Sequence, residues 1–283
     1  MKTVHINNVE LPAVGIGTWN LGDDPNCHDD EVAAIRAGLN RAARVVDTAE
    51  MYGEGRSERI VRDAIKGYRR DQLFIIDKVL PTNAGHQRLS TSLEQSLHNV
   101  GTDYFDLYLL HWRGTIPLAE TVDELEKMVT HGKIRAWGVS NFDVSDLKEL
   151  WSLPKGHHCV ANQDLYNLEE RGIEYDLLPL MKKHHLPLIA YSPLAQGDQL
   201  SGKLTSDRLL QEIAANHQAS VYQVMLAWTI KDSGILTIPK SSSVAHAIAN
   251  WQAGELNFTP DERAALARRF PRPQKKQLLA TIS

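Results

Sequence analysis

The strongest constraint on this chain is an alternation. Short apolar runs take turns with longer amphipathic stretches, eight times over. The runs cover 14–17, 44–47, 73–78, 104–110, 136–139, 160–163, 186–190 and 235–238. Between them, apolar residues recur at helical spacing over 30–40, 57–65, 90–100, 116–130, 143–150, 175–184, 221–231 and 244–251. Near-continuous apolar strands, each followed by a helix, pair in parallel and are covered on both faces. Eight such units fit an α/β chain built as a single (β/α)8 TIM barrel. A hairpin over 3–11, turning at Asn7 and Asn8, precedes the first unit, and a helix over 260–269 follows the last. A doubly wound open sheet is the competing arrangement. It would place a Gly-rich turn directly before its first helix, and GIGTWNLG lacks the GxGxxG spacing. The 283 residues exceed the ~250 typical of such a barrel. One barrel domain over 1–283 is therefore expected, with a floor hairpin and extra C-terminal helices.

Composition narrows the partners. Thirty-one Lys and Arg against 35 Asp and Glu give a net charge of −4, which makes no basic field for nucleic acid. Two cysteines, Cys27 and Cys159, cannot build a disulfide framework or a four-thiolate zinc site. No apolar run approaches the ~18 residues of a membrane span. The N-terminus lacks the unbroken apolar stretch of a secretory signal. A soluble, cytoplasmic protein with no membrane or nucleic-acid partner is expected. The His157-His158 and His184-His185 pairs could suggest a metal, but adjacent side chains diverge and no third ligand follows at metal spacing. No metal is expected.

Function is read from the strand ends, where barrels of this kind collect their chemistry. In order they deliver Thr18 and Trp19, Asp47 and Thr48, Asp77 and Lys78, His111 and Trp112, Ser140 and Asn141, Gln163, Tyr191 and Ser192, and Lys240 and Ser241. A core alone does not require a polar side chain at the end of nearly every strand. Asp47 and Lys78 sit at neighbouring mouths and can pair. A lysine cation near Tyr52 favours phenolate, lowering a pKa ordinarily about 10. Such a tyrosine can give its proton to a developing alkoxide. His111 could hydrogen-bond a carbonyl oxygen. A lone Asp–Lys pair is usually structural, and a lone histidine at a strand end is often merely hydrogen-bonded. Four such groups on three adjacent strands argue for a site. The set holds no acyl nucleophile and no electron source, so a redox reading needs a bound hydride donor.

These residues resemble the aldo-keto reductases over nearly the whole chain. DTAEMYGEGRSE at 47–58 looks like the family's first motif, GKIRAWGVSNF at 132–142 like the second and IPKSSSVAHAIAN at 238–250 like the third. Lys78 in IIDKV and His111 in LYLLHW complete an Asp-Tyr-Lys-His tetrad. The resemblance implies an NADP-dependent barrel that acts as a monomer. It implies NADPH-dependent reduction of an aldehyde or ketone, with hydride passing from the nicotinamide to the carbonyl carbon and Tyr52 acting as general acid. It further implies that Ser140, Asn141 and Gln163 hold the carboxamide and that Tyr191 stacks on the nicotinamide. Thr18 joins the cofactor-binding set. Ser192 and Leu194 would lie along the pyrophosphate, Lys240 and Ser241 at the 2′-phosphate, and Asn250 at the adenine. His246 stands where the family usually has arginine, and Ala249 where an acid often follows. Histidine is only partly charged near neutrality and lacks the bidentate fork, so NADPH preference is expected with weaker discrimination.

Trp19 and Trp112 are candidates for an apolar pocket wall, with core packing as the competing role. A short segment over 193–208 and a short final tail suggest an open site for small carbonyl compounds. The stretches at 102–112 and 172–179 resemble the methylglyoxal-reductase type of the family, which points to small 2-oxoaldehydes. Two other readings remain open at this level. One is a non-catalytic NADP(H)-binding barrel that senses redox state. The other is a metal-dependent barrel hydrolase.

Overall fold

The structure is a computed structural model that describes residues 1–86, 88–195 and 204–282. Strands β1 (Thr3–Ile6) and β2 (Val9–Pro12) form an antiparallel hairpin. Its turn residues Asn7 and Asn8 both take positive φ, 48° and 61°, which a tight two-residue hairpin turn demands and asparagine tolerates. Eight strands then pair in parallel, in chain order: β3 (Ile16–Gly17), β4 (Val45–Asp47), β5 (Phe74–Val79), β6 (Leu107–Leu110), β7 (Trp137–Ser140), β8 (Asn162–Leu165), β9 (Leu188–Tyr191) and β10 (Ile235–Thr237). The sheet closes on itself. Gly15 N–H donates to the Thr237 carbonyl at 2.8 Å, Thr237 N–H to the Ala13 carbonyl at 2.8 Å, and Gly17 bridges to Lys240. Gly17 is required there, because a Cβ would lie 2.5 Å from the Ile238 carbonyl oxygen.

The first six barrel strands are each followed by a helix: α1 (His28–Leu39), α2 (Arg56–Ile65), α3 (Arg88–Val100), α4 (Leu118–Thr130), α5 (Val144–Ser152) and α6 (Leu177–Lys183). Two helices, α7 (Arg208–Asn216) and α8 (Val221–Thr229), follow β9, and α9 (Val244–Gln252) and α10 (Pro260–Arg269) follow β10. The eight-unit barrel is thus as read from the periodicity, with differences at the edges. Helix α7 is additional to the eight helical stretches and begins where the segment over 193–208 ends. The strand expected over 104–110 starts later, with Phe105 pairing alone to Ile134. The helix expected from 116 begins at Leu118, because Pro117 disfavours a helical residue before it. None of the described helices is long and apolar enough to cross a membrane.

Two cores result from the two-residue period of the strands. Val45, Phe74, Ile76, Leu107, Leu109 and Ile189 point into the lumen, and Val4, Ile6 and Leu11 of the hairpin plug its floor. Val46, Ile75, Val79, Tyr108, Trp137 and Val139 point outward and pack under the helices. Along six strands the inward column is apolar below and polar at its top: Asp47, Lys78, His111, Ser140, Gln163 and Tyr191 are those top positions. The alternation that builds the core therefore also aims the site residues. The tail after α10 returns to this rim. Arg171 donates to the Phe270 carbonyl, Lys276 Nζ lies 2.7 Å from Asp143 Oδ1 and 2.9 Å from Asp176 Oδ2, and the Ile282 backbone comes close to the Tyr191 hydroxyl. The tail is short, yet it reaches the mouth, so the site is less open than its length suggests.

Candidate active site

Asp47 ends β4, and the loop after it carries Tyr52. Gly53, Glu54 and Gly55 take successive positive φ values of 56°, 52° and 83°, folding this loop tightly before α2 begins. The fold brings Tyr52 over Lys78 of β5. Lys78 is fully buried, and each of its three ammonium hydrogens has an acceptor: Asp47 Oδ1 at 2.6 Å, the Thr48 carbonyl at 2.8 Å and Tyr52 Oη at 3.1 Å. The other Asp47 oxygen accepts from Gln163 Nε2 at 2.8 Å. Below them, the buried Thr18 hydroxyl donates to the Asp47 carbonyl at 2.9 Å and accepts from Ser57 Oγ at 2.7 Å. Thr18 therefore supports Asp47, and its side chain is committed there.

The electrostatics assign protonation. Burial works against the Lys78 charge, but Asp47 and Tyr52 outweigh it and hold lysine above its ordinary value. Burial raises the Asp47 carboxyl, opposed by Lys78 and Gln163. Burial likewise pushes the Tyr52 phenol up, and Lys78 only partly offsets it. This corrects the expected direction. Sequence shows the cation beside Tyr52 but not the desolvation, which favours the neutral phenol. Tyr52 is thus held as the proton-bearing form. His111 sits edge-on to Tyr52, with ring centroids 5.8 Å apart. Burial, assisted by Lys78, lowers it to about 2, so the imidazole is neutral across ordinary pH. Its Nδ1 is buried and has no hydrogen-bond partner among the described residues.

Around the rim stands an amide cluster. Ser140 Oγ donates to the Gln163 carbonyl at 2.8 Å, Asn141 Nδ2 to the His111 carbonyl at 3.0 Å, and Tyr191 Oη to Asn141 Oδ1 at 2.9 Å. Asn141 takes a φ of 57°, a conformation its residue type accepts more readily than most, where the strand ends. Ser192 also has positive φ, 45°, and its carbonyl accepts from the buried Asn167 Nδ2 at 3.0 Å. Leu194 packs its side chain on the outer core. Further round, Lys240 and His246 are exposed, Ser241 is half-buried, and Asn250 lines a small cavity with Gly15, Ser241 and Trp251. Trp19 and Trp112 are 40% and 37% exposed, which removes the core-packing role for both, and Trp112 lies 4.8 Å from the His111 ring. Met51, also 41% exposed, follows Asp47 in the Tyr52 loop. Trp137, by contrast, is core, its Nε1 donating to Glu126 at 2.6 Å.

Sequence reasoning missed the Gln163 bond to Asp47, which spans 116 residues and has no local signal. It also missed Asn167 and the returning tail. A closed barrel with a buried Asp–Lys pair under a tyrosine hydroxyl, and a neutral histidine beside it, defines a barrel oxidoreductase of the carbonyl-reducing class. The chain belongs to the aldo/keto reductase family, whose sequence profile matches residues 13–268. It is 46% identical over 275 residues to methylglyoxal reductase YeaE of Escherichia coli K12, covering 97% of this chain and 96% of that protein. It is 35% identical over 258 residues to glyoxal reductase of Bacillus subtilis, covering 90% and 88%. A solved aldo/keto reductase from Klebsiella pneumoniae, in complex with NADP and acetate, superposes with a TM-score of 0.97 at 45% identity, covering 99% of both chains.

Proposed function

We propose that this protein reduces small aldehydes and ketones to alcohols with NADPH, and that 2-oxoaldehydes such as methylglyoxal are its substrates. The observation that carries this reading is Lys78, whose three hydrogens are all spent on Asp47, the Thr48 carbonyl and Tyr52. That arrangement sets a cation, itself held by Asp47, 3.1 Å from the Tyr52 hydroxyl, where it favours release of the tyrosine proton.

The residues present fit the cofactor. Ser243 stands at the N-cap of α9 without a side-chain cap bond, leaving the first N–H groups of the helix for an anion, and Lys240 and Ser241 precede it, Ser241 Oγ accepting from the Ser243 N–H at 3.0 Å. A cation, a hydroxyl and free amides suit a phosphate monoester. Asn250 borders the cavity beside Ser241, and the half-buried Tyr191 ring offers a stacking face at the rim. Bound there, the nicotinamide supplies the hydride that the carbonyl carbon receives. Ser140, Asn141 and Gln163 would hold its carboxamide, and Ser192 and the Leu194 backbone its pyrophosphate. His111, being neutral, can donate a hydrogen bond to the carbonyl oxygen without contributing charge. Tyr52 delivers its proton to that oxygen as negative charge grows there, and Lys78 stabilises the phenolate left behind. Trp19, Trp112 and Met51 form an apolar wall that keeps water from the reacting atoms.

The same reading has one domain over 1–283 working as a cytoplasmic monomer on a small-molecule substrate. His246 in place of arginine predicts that NADPH is preferred by a modest margin. A substrate panel assayed with each cofactor tests the proposal. Methylglyoxal turnover with kcat/KM higher for NADPH is expected. Preference for NADH would sink the cofactor assignment, and tight NADPH binding without any turnover would favour a cofactor-sensing barrel. Among the described residues no group of three His, Cys, Asp or Glu is placed to hold a metal.

A further inference from the structure

Directly behind the site lies a second ionisable pair that the mechanism does not use. Asp77 precedes Lys78 on β5 and so points the opposite way, out of the lumen and under α2. It is fully buried. Glu58, in the first turn of α2, is 1% exposed. Each carboxyl has one satisfied oxygen. Asp77 Oδ1 accepts from the Lys78 backbone N–H at 2.7 Å, and Glu58 Oε2 accepts from Asn99 Nδ2 at 2.7 Å. The remaining oxygens, Asp77 Oδ2 and Glu58 Oε1, are buried without a donor among the described residues, and the two carboxyls are within hydrogen-bonding reach of each other. Two ionised carboxylates cannot stay in that contact. A proton held between them supplies the one donor that both oxygens lack.

We propose that Asp77 and Glu58 share one proton, and that this bond positions Tyr52 against Lys78 by tying α2 to β5. The connectivity carries the second half. Tyr52 sits four residues before α2, and Lys78 sits beside Asp77. The two elements are therefore joined twice: through the lumen by Lys78 Nζ and Tyr52 Oη at 3.1 Å, and through the wall by the carboxyl pair. The surroundings keep the proton in place. Glu50 from the loop after β4, Tyr108 of β6, and Ser92 and Asn99 of α3 face this region, with Lys78 and, at the solvent edge, Arg59 as the cations. Lys78 is already engaged by Asp47. Burial and the neighbouring Glu58 carboxyl hold Asp77 well above the ordinary carboxylate range. Asp77 is a positioning residue in this account: it touches neither substrate nor cofactor.

The positioning half rests on the carbonyl-reduction reading, and the shared proton does not. Infrared spectra of the whole protein at pH 7 test the proton: the wild type is expected to show one carboxylic-acid C=O band that is lost in Asp77→Asn, while the band of the buried Asp164 remains in both. Kinetics test the positioning. Asp77→Ala should lower kcat about 10- to 100-fold, the scale of a remote misplacement, with the KM for NADPH unchanged. Asp77→Asn should restore most of that loss, because its amide gives Glu58 a permanent donor and keeps an acceptor for Lys78 N–H. Asp77→Leu fills the volume and replaces Asp77→Ala if the latter does not fold. Spectra that do not differ, or an Asn variant as impaired as the Ala variant, would overturn the proposal. If Asp77→Asn loses its band in a protein that shows no turnover, the reduction reading is contradicted and the shared proton is still supported.

Discussion

The two faces of one strand tell different stories. On β5, Lys78 points into the lumen and Asp77 points into the wall. Both are fully buried, but Lys78 has an acceptor for every hydrogen, whereas Asp77 has an oxygen with no donor. Strand β8 repeats the contrast. Inward Gln163 donates to Asp47, while outward Asp164 has one carboxyl oxygen satisfied by Asn162 at 2.6 Å and the other without a partner among the described residues. The lumen solves its electrostatics by pairing opposite charges. In the wall, Asp77 and Asp164 have no ion-pair partner among the described residues, and burial holds both well above the ordinary carboxylate range. Buried carboxyls without a counter-charge shift this way because neutralising the group costs less than desolvating its ion.

The largest test removes the cation of the lumen. Lys78→Met leaves Asp47 buried without its counter-charge and should destabilise the protein by about 3–5 kcal/mol, read from denaturant midpoints. An unchanged midpoint would mean that the pair is no more than a surface-like contact. Next, Tyr52→Phe keeps the ring and removes the proton. A fall in kcat of at least ~10² with NADPH affinity retained is expected from the loss of a general acid. Near-wild-type kcat would contradict the assigned role.

A smaller effect comes from pH. His111 is lowered to about 2 in the folded protein, against an ordinary 6.5. The unfolded chain therefore binds a proton that the native state refuses. Its contribution to stability is fully present above about pH 6.5 and erodes as pH falls toward 2, by up to about 1.4 kcal/mol per pH unit. His111→Asn should flatten the stability profile below pH 6.5 by that slope, and parallel profiles would refute neutral burial. The smallest effect lies in the wall. Asp164 is raised well above its ordinary value, first by burial and then by Asp143 and Asp146. An acid whose folded pKa is raised loses stability as pH climbs from its unfolded value through its folded one. Asp164→Asn removes that loss and should stabilise by about 1 kcal/mol at pH 7, but little near pH 4. A variant less stable at pH 7 would show that Asp164 is ionised and partnered.

Much of this was visible in sequence. Eight apolar runs with polar ends give the barrel, and the four tetrad residues lie at three of those ends or in the loop after one. What was not visible follows from geometry that spacing does not encode. Lys78 and Asp77 are adjacent letters, and only the phase of the strand decides which enters the lumen. That phase could have been taken from Phe74 and Ile76, which share the inward side with Lys78. The Tyr52 acidity was misjudged because burial depends on what packs around the loop, including residues distant in sequence. Helix α7 is different: Leu210, Ile213 and Ala214 stand at helical spacing, a pattern that is legible in the sequence.

The returning tail carries a practical consequence. Ile282 lies on the hydroxyl of Tyr191, at the rim, while Val4, Ile6 and Leu11 close the opposite end of the lumen. A purification tag or a surface linker attached directly after Ile282 would be anchored beside the entrance and would compete with whatever passes through it. The same attachment through the N-terminal hairpin leaves from the far pole of the barrel. Immobilised preparations made in the two orientations should therefore differ in turnover, though both hold the same fold.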